Sequence, residues 1–500
     1  MDFKRGLKNI SYSVVGQFIT LVIGIFIPQL VIVSYGSEVN GLLSSTNTII
    51  SYLTLLEAGV GTATCQALYK PLYDKDRNGI SEILSATNIY YKRAGVVYFV
   101  LIILISLLYP LVISSNLDYG LIFVIIFING LPGVISFLFQ RKYISFLEAI
   151  GENYIVTNLQ TIITVFASVL KIILLRLNVS IILVQLIYCI TTLGQMIFIL
   201  IYIKNKYGWI NLNVKPDFNA LSQKNAALVH QICSLVTNST DVIVLSMFCD
   251  LNTVSIYTVY NMIFAIVYNV IFSVNTGLLY ALGQAYCKSK DYYCKFVDLY
   301  ETYYVAIATA LLLVSLIMIV PFLNLYTANA DINYVDKYLP FMFFIVKLLD
   351  SFRNASLNTI TVSGHYDDTK KHAIIESIIN LTISLISVWK FGVVGVLIGT
   401  TIAFLYRCII SIRFVNKKVL KRRPVHSIKV IMLNIFLSFF SLFLLNSFNF
   451  NSSNYMIFFI KLVPLTIIIL AIFIVINSIT NYKQFELLKE QLLSILKRRS

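Results

Sequence analysis

Residues 371–415 read KHAIIESIINLTISLISVWKFGVVGVLIGTTIAFLYRCIISIRFV. The stretch holds two apolar runs, 371–389 and 393–415, separated only by Lys390-Phe391-Gly392. A helix needs about 20 predominantly apolar residues to cross the hydrocarbon of a bilayer. Each run is of that length, and the residues between them suffice for a turn. The chain holds twelve further runs of the same kind: 10–34, 41–68, 94–114, 120–139, 153–177, 179–203, 225–249, 254–284, 299–326, 338–363, 427–447 and 455–478.

Composition agrees. The chain is 58% hydrophobic and only 12% charged, with a mean hydropathy of +0.81. Soluble domains carry roughly a quarter charged residues. With 500 residues, a water-soluble core is excluded for want of polar surface to cover it. The start, MDFKRGLKN, is basic, and the long apolar run after it has no small-residue cleavage site, so it is expected to be a retained first span. The seven cysteines show neither metal-ligand spacing nor a disulfide framework and are expected to be small packing residues.

The net charge of +16 reads as membrane topology rather than as a nucleic-acid surface; no nucleic-acid partner is expected. With the N-terminus in the cytoplasm, 31 of the 39 Lys and Arg fall in, or at the edges of, cytoplasmic segments. Three (Arg176, Lys337, Lys390) fall in external loops and five (Lys171, Lys347, Arg353, Arg407, Lys461) inside spans. This asymmetry follows the positive-inside rule and requires an even number of spans. The external loops are short. The tail TNYKQFELLKEQLLSILKRRS has apolar residues at helical spacing and a basic end, as a surface-lying amphipathic helix does. No soluble catalytic domain is therefore expected, and function must reside in the bundle.

A weak internal repeat sets the organisation. KNISYSVVGQFITLVIGIFIPQLVIVSYGSEVNGL starts at Lys8 and KNAALVHQICSLVTNSTDVIVLSMFCDLNTVSIY at Lys224, six spans later. Parallel six-helix halves are a transporter architecture. The expected fold is an all-α polytopic membrane protein of about 14 transmembrane helices. Two parallel six-helix bundles flank a central cavity, two C-terminal helices follow, and both termini are cytoplasmic. The expected segments are a cytoplasmic N-terminus (1–9), an N-terminal bundle (10–203), a cytoplasmic inter-bundle loop (204–224) and a C-terminal bundle (225–415). A basic cytoplasmic loop (416–426), helices thirteen and fourteen (427–478) and the amphipathic tail (479–500) complete it.

Ionisable side chains inside spans are costly, about 2.5–3.5 kcal/mol at mid-membrane on insertion scales. Lys171, Arg407 and Lys461 lie near span ends, where snorkelling explains them as well as function does. His230 and Glu376 are shallow too. Glu57, Asp241, Lys347, Asp350 and Arg353 are deeper. The run Thr237-Asn238-Ser239-Thr240-Asp241 turns polar groups to every side of a helix, so it must pack against helices or line water; its sequon is a chance match at that depth. Glu57 lies in LLEAGVGTA, whose small residues allow close approach or a local break. It is either an acid paired inside the bundle or a proton or cation site. Lys347, Asp350 and Arg353 recur at three-residue steps on one helix face. They are either an internal salt bridge that lets the helix insert or a net-positive stripe. One acid cannot neutralise two bases.

No Walker A sequence or helical HExxH occurs, so neither ATP nor a zinc-protease chemistry is implied. No cofactor and no metal are expected, and the protein is not expected to be an enzyme.

From residue 353 the chain reads RNASLNTITVSGHYDDTKKHAIIESIINLTISLISVWKFGVVGVLIGTTIAFLYR. This resembles the C-terminal half of bacterial polysaccharide repeat-unit flippases, the Wzx-type transporters of the MATE-like MOP exporter superfamily. VSYGSEVNGLLSS and LLEAGVGTA look like that family's first two helices, and TDVIVLSMF with VSIYTVYNMIFA like its seventh and eighth. Positions matching the pattern are Asp350, Arg353, Gly364, His365, Thr369, Glu376, Asn380 and Arg407. Glycines 392, 395 and 399 fit helix packing.

The resemblance implies a flippase of the bacterial inner membrane. Its cargo is an undecaprenyl-pyrophosphate-linked oligosaccharide, such as an O-antigen, capsule or exopolysaccharide unit, moved outward by alternating access. Moving one charge through 100 mV is worth about 2.3 kcal/mol, so an inside-negative potential helps expel the anionic head group. Arg suits phosphate oxygens through its bidentate fork. Arg353, Lys347 and Arg407 are the candidate head-group contacts. Asp350 is the orienting acid, and Asp241, Glu57 and Asn238 are the candidates for coupling to protons or sodium. A monomer in contact with membrane lipids, and with polymerase machinery as a partner, is expected. The alternatives are a drug or metabolite/cation antiporter of the same superfamily and, from another class, an integral-membrane sugar polymerase or glycosyltransferase. The last usually displays a sizeable external loop, which this sequence lacks.

Overall fold

The computed structural model describes residues 23–57, 59–218, 224–365, 367–445 and 447–499. The cytoplasmic N-terminus and the start of the first run lie outside the described residues. The described secondary structure is helical, without strands. In order, the helices are α1 (Ile23–Tyr35), α2 (Ser37–Leu53), α3 (Val60–Tyr73), α4 (Arg77–Val112), α5 (Tyr119–Ile135), α6 (Arg141–Ala149), α7 (Asn153–Arg176), α8 (Ile181–Lys206), α9 (Lys224–Phe248), α10 (Leu251–Lys288), α11 (Lys290–Tyr326), α12 (Leu339–Val362), α13 (Lys370–Phe414), α14 (Val425–Leu445), α15 (Tyr455–Thr480) and α16 (Tyr482–Arg499).

Among the described residues, these helices cover thirteen of the fourteen apolar runs and the end of the first. The second run is α2 and α3, broken by a 3₁₀ turn at Thr54–Glu57 and by Gly59 at φ 80°. The fourth is α5 and a π-helical turn at Ser136–Gln140, which leads on into α6. The eleventh and twelfth are the two legs of α13, which bends at Gly392 (φ 52°). That left-handed backbone is cheap only for glycine. The legs pack closely. A Cβ at Gly395 would lie 2.3 Å from the Ser387 carbonyl oxygen, and one at Gly399 2.3 Å from Ser384 Oγ. The chain is an all-α multi-pass membrane protein.

Contacts divide the chain into two units. The first holds the described residues up to Ile256 together with Asn329–Ile332; the second holds Tyr257–Ala328 and Asn333 onward. In the first, α2 packs on α9 and on the start of α10. Gly41 allows this, because a Cβ there would lie 1.8 Å from the Leu251 carbonyl oxygen, and Asn40 donates to Ser255 Oγ at 2.7 Å. In the second, α11 is the buried centre, packed on α12, α14 and α15.

Within each unit, segments assigned to one side of the membrane meet one another. External ends of the first unit touch where Asp331 accepts from the Ser37 amide (3.1 Å) and Glu38 from the Asn116 amide (2.7 Å). Its cytoplasmic ends meet where Lys206 pairs with Glu152 (2.6 Å) and Ser85 donates to the Leu212 carbonyl (2.9 Å). In the second unit the basic loop is tied to the cytoplasmic start of α11 by Arg422 on Asp298. Gln491 of α16 donates to Tyr292 at 2.7 Å, docking the tail helix to that same end.

Candidate functional site

A cavity of about 580 Å³ lies inside the first unit, walled by α1, α2, α4, α5, α6, α7 and α8 and by the π-helical turn. Its wall carries seven carboxamides: Asn40 and Asn47 from α2, Asn129 from α5, Gln140 from the π turn, Gln160 from α7, and Gln185 and Gln195 from α8. Hydroxyls of Ser44, Ser51, Thr54, Ser136 and Thr192 and the phenols of Tyr98 and Tyr188 add to it. Two cations reach the wall, Arg141 and Lys171, and no carboxylate lies among the lining residues.

The fold explains how these groups converge. A π turn inserts an extra residue into the helical ladder and re-aims the side chains beyond it. The one at Ser136–Gln140 sets Gln140 and Arg141 on the wall, with Gln140 Nε2 donating to the Thr192 carbonyl at 3.2 Å. Gly133 makes room for Tyr98, whose hydroxyl would lie 2.3 Å from a Cβ there. Arg141 Nη2 sits 2.7 Å from Glu57 Oε2, and Glu57 Oε1 accepts from Tyr91 at 3.3 Å. Lys171 donates to Gln185 Oε1 at 3.4 Å and stands 5.6 Å from the Tyr188 ring centroid. No carboxylate among the described residues lies within ion-pair distance of it. At 1.5 Å per residue, Lys171 stands about 27 Å from the cytoplasmic start of α7, and Arg141 about 12 Å from the cytoplasmic end of α6. The two cations therefore sit at different depths. The amide side chains of Asn47, Gln160 and Gln195 make no hydrogen bond among the described residues.

The second unit holds a buried charge network on α12 and the two legs of α13. Arg353 Nε bonds Asp350 Oδ1 at 2.7 Å, and its Nη1 pairs with Glu376. The guanidinium carbon lies 3.9 Å from the Phe404 ring centroid. Arg407 Nε stands 3.6 Å from Glu376 Oε2, while Nη1 donates to the Thr369 carbonyl at 3.1 Å. Asn354 joins Asp350 at 3.3 Å and also donates to Tyr268. Lys347 Nζ lies 5.6 Å from the Tyr268 ring centroid. Asp350, Glu376 and Arg407 are buried. A groove of about 180 Å³, apolar but for Ser438, runs beside this network, between Phe341, Phe344 and Phe352 of α12 and Ile435, Phe439 and Leu442 of α14.

The structure brings Arg353, Asp350 and Arg407 into one cluster and adds Glu376, which its shallow place in the span does not single out. Arg407 points inward, because Glu376 on the facing leg of the hairpin offers it a carboxylate. Lys171 likewise turns to a cavity rather than to the interface. Lys461 does reach the membrane edge, where it donates to the Asn451 carbonyl at 2.6 Å. Glu57 has Arg141 as its cation, which the sequence placed in a cytoplasmic loop. In the polar run of α9, Thr237, Thr240 and Asp241 are buried. Tyr52 of α2 meets Thr240 Oγ1 at 2.6 Å. Asn238 is exposed and folds its amide back to the Ser234 carbonyl at 2.8 Å.

No protein-family model and no curated protein sequence matches the chain. Solved structures do. One described as lipid II flippase MurJ in an inward closed conformation aligns with TM-score 0.70 and 15% identity, over 95% of this chain and 100% of that one. An inward-facing multidrug resistance MATE family transporter of the MOP superfamily gives TM-score 0.65 and 16% identity, over 82% of this chain and 99% of that one. A MOP superfamily transporter from Pyrococcus furiosus Vc1 (DSM3638) gives 0.56 and 14%, over 84% and 97%. What this chain shares with them is the fold.

Proposed function

We propose that the protein is a flippase that carries an undecaprenyl-pyrophosphate-linked oligosaccharide repeat unit from the cytoplasmic to the outer leaflet by alternating access, in the biosynthesis of a bacterial surface polysaccharide. The observation that carries this reading is the wall of the first unit's cavity. A sugar hydroxyl both donates and accepts hydrogen bonds, and a carboxamide is the side chain that answers both. Seven carboxamides and two cations with no lining carboxylate suit a neutral glycan joined to an anion. The same wall suits a cationic drug poorly, since no acid faces it. The volume, about 580 Å³, falls in the range of roughly 300–1,000 Å³ usual for ligand pockets. One structure of the same fold is described as a lipid II flippase, which supports a lipid-linked cargo.

In this reading Arg141 and Lys171 hold the pyrophosphate in turn, at two depths. Glu57 is the coupling acid: protonating it releases Arg141 to the cavity. Arg353, Lys347 and Arg407 remain proposed head-group contacts in the second unit. There a phosphate would take the place that Asp350 and Glu376 hold on the two guanidiniums, and Asp350 would orient Arg353. Asp241 and Asn238 are proposed as further polar groups of the coupling path.

The test is deletion of the gene followed by analysis of lipid-linked intermediates, with complementation by Arg141→Ala, Lys171→Ala and the double substitution. Deletion should accumulate undecaprenyl-pyrophosphate oligosaccharide. The double variant should restore less than about a tenth of the surface polysaccharide at normal protein abundance, since each lost charge-assisted contact is worth about 1.5–3 kcal/mol. Full complementation by the double variant would exclude the cavity as the anion path.

A further inference from the structure

The segment from Arg413 to Lys429 is the most basic of the cytoplasmic side, with Arg413, Lys417, Lys418, Lys421, Arg422, Arg423 and Lys429. Two backbone irregularities shape it. A π-helical turn at Val415–Val419 ends the second leg of α13, and Lys421 takes a left-handed φ of 53°. Arg422 then closes the loop against the protein: its Nη1 donates to Asp298 Oδ2 at 2.8 Å and its Nε to Asn416 Oδ1 at 3.2 Å.

The result is a cavity of about 450 Å³ with a polar rim and an apolar floor. Arg413, Lys417 and Arg423 form the rim with Arg422; Ile409, Ile412 and Ile428 form the floor. Three acids of this end are already engaged. Asp298 holds Arg422, Asp368 holds Lys418 at 3.5 Å, and Glu301 accepts from Ser427 at 2.7 Å. Arg413, Lys417 and Arg423 are exposed and have no carboxylate within ion-pair distance among the described residues. Arg413 and Lys417 stand four residues apart, on neighbouring turns of one face. Ile409 and Ile428 are 57% and 51% exposed, which in a membrane-spanning helix is contact with lipid.

We propose that this groove binds an anionic phospholipid of the cytoplasmic leaflet, with its phosphate on Arg413, Lys417 and Arg423 and its acyl chains on Ile409, Ile412 and Ile428. The arrangement matches that chemistry at both ends. Basic pockets between transmembrane helices on the cytoplasmic side select anionic head groups, at about fivefold in affinity per Lys or Arg near the surface. The start of α14, beyond Pro424, adds the positive end of its helix dipole. A soluble phosphate would use the rim and leave the floor unused. The inference does not depend on the cargo proposed above.

The test uses the purified full chain in nanodiscs of phosphatidylcholine with or without a quarter phosphatidylglycerol, and native mass spectrometry of lipid retained after transfer to detergent. Wild type should retain phosphatidylglycerol over phosphatidylcholine and melt at higher temperature when it is present. Arg413→Gln/Lys417→Gln/Arg423→Gln should lose that affinity by about a hundredfold, as three cationic contacts predict. These side chains are exposed and outside ion pairs, so folding should hold. Lys70→Gln/Lys75→Gln/Lys92→Gln, which removes the same charge from another cytoplasmic loop, should retain the lipid, as should wild type challenged with millimolar glycerol 3-phosphate. Equal retention by wild type and the groove variant would overturn the proposal. So would equal loss in the control variant, or displacement by glycerol 3-phosphate, which would make the site a reader of phosphate alone.

Discussion

Arg353 shows at the scale of one residue what burial demands. Its guanidinium is held by Asp350 on its own helix, by Glu376 on the next, and by the face of Phe404. Removing the cation from a buried pair strands the acids and costs about 3–5 kcal/mol. Arg353→Ala should therefore lower the melting temperature of the purified protein and its membrane abundance. Combining it with Glu376→Gln should cost less than the sum of the two single changes, because they share one interaction. Additive effects would show that the two side chains are not coupled. The Arg353–Asp350 half of this network is legible in the sequence as a three-residue step on one helix face. Glu376 is not, because nothing in its neighbourhood says that the next helix folds back against α12. Arg141 escaped for a different reason: a basic residue just after an apolar run reads as loop, and only the π turn carries the helix through it.

At the scale of elements, the apolar runs and their approximate ends follow from hydropathy alone, while the way helices meet depends on where glycine removes a side chain. Gly399→Ala would place a Cβ 2.3 Å from Ser384 Oγ and 2.7 Å from the Ser384 amide nitrogen, forcing the two legs of α13 apart. Overpacking of this kind costs about 1–3 kcal/mol, and the variant should melt at lower temperature. Gly194→Ala is the contrast. Its Cβ meets nothing within 4 Å, and alanine is the better helix former by about 1 kcal/mol, so this variant should melt at the same temperature or higher. Equal melting of both variants would contradict the packing assigned to the hairpin. The break between α2 and α3 was legible as the small residues of LLEAGVGTA. The two π turns were not, since no residue type marks them, yet each sets basic side chains on the wall of a cavity.

For the whole molecule, span counting leads to the all-α multi-pass class that the described helices show, while α9, expected to open the second bundle, packs with the first unit. In each unit the loops assigned to one side of the membrane by their Lys and Arg are in contact with each other. The cavity of the first unit was hidden by the same sequence. Its carboxamides are spread over α2, α5, the π turn, α7 and α8, one or two to a segment, and each reads alone as an ordinary polar residue in a span. Only packing brings them together with Arg141 and Lys171 around a space that no acid lines. That wall is the basis for proposing a glycan-bearing anionic lipid as cargo, and the proposal can be tested without the cell. The purified protein would be placed in proteoliposomes with a fluorescent undecaprenyl-pyrophosphate disaccharide, and leaflet exchange monitored by quenching from outside, under an imposed potential. The account predicts that wild type moves the lipid across the bilayer, and that Arg141→Ala/Lys171→Ala slows this at least about tenfold while inserting normally, each charge-assisted contact being worth about 1.5–3 kcal/mol. Failure of the wild type to move the lipid, in vesicles where it does expel a cationic dye, would contradict it.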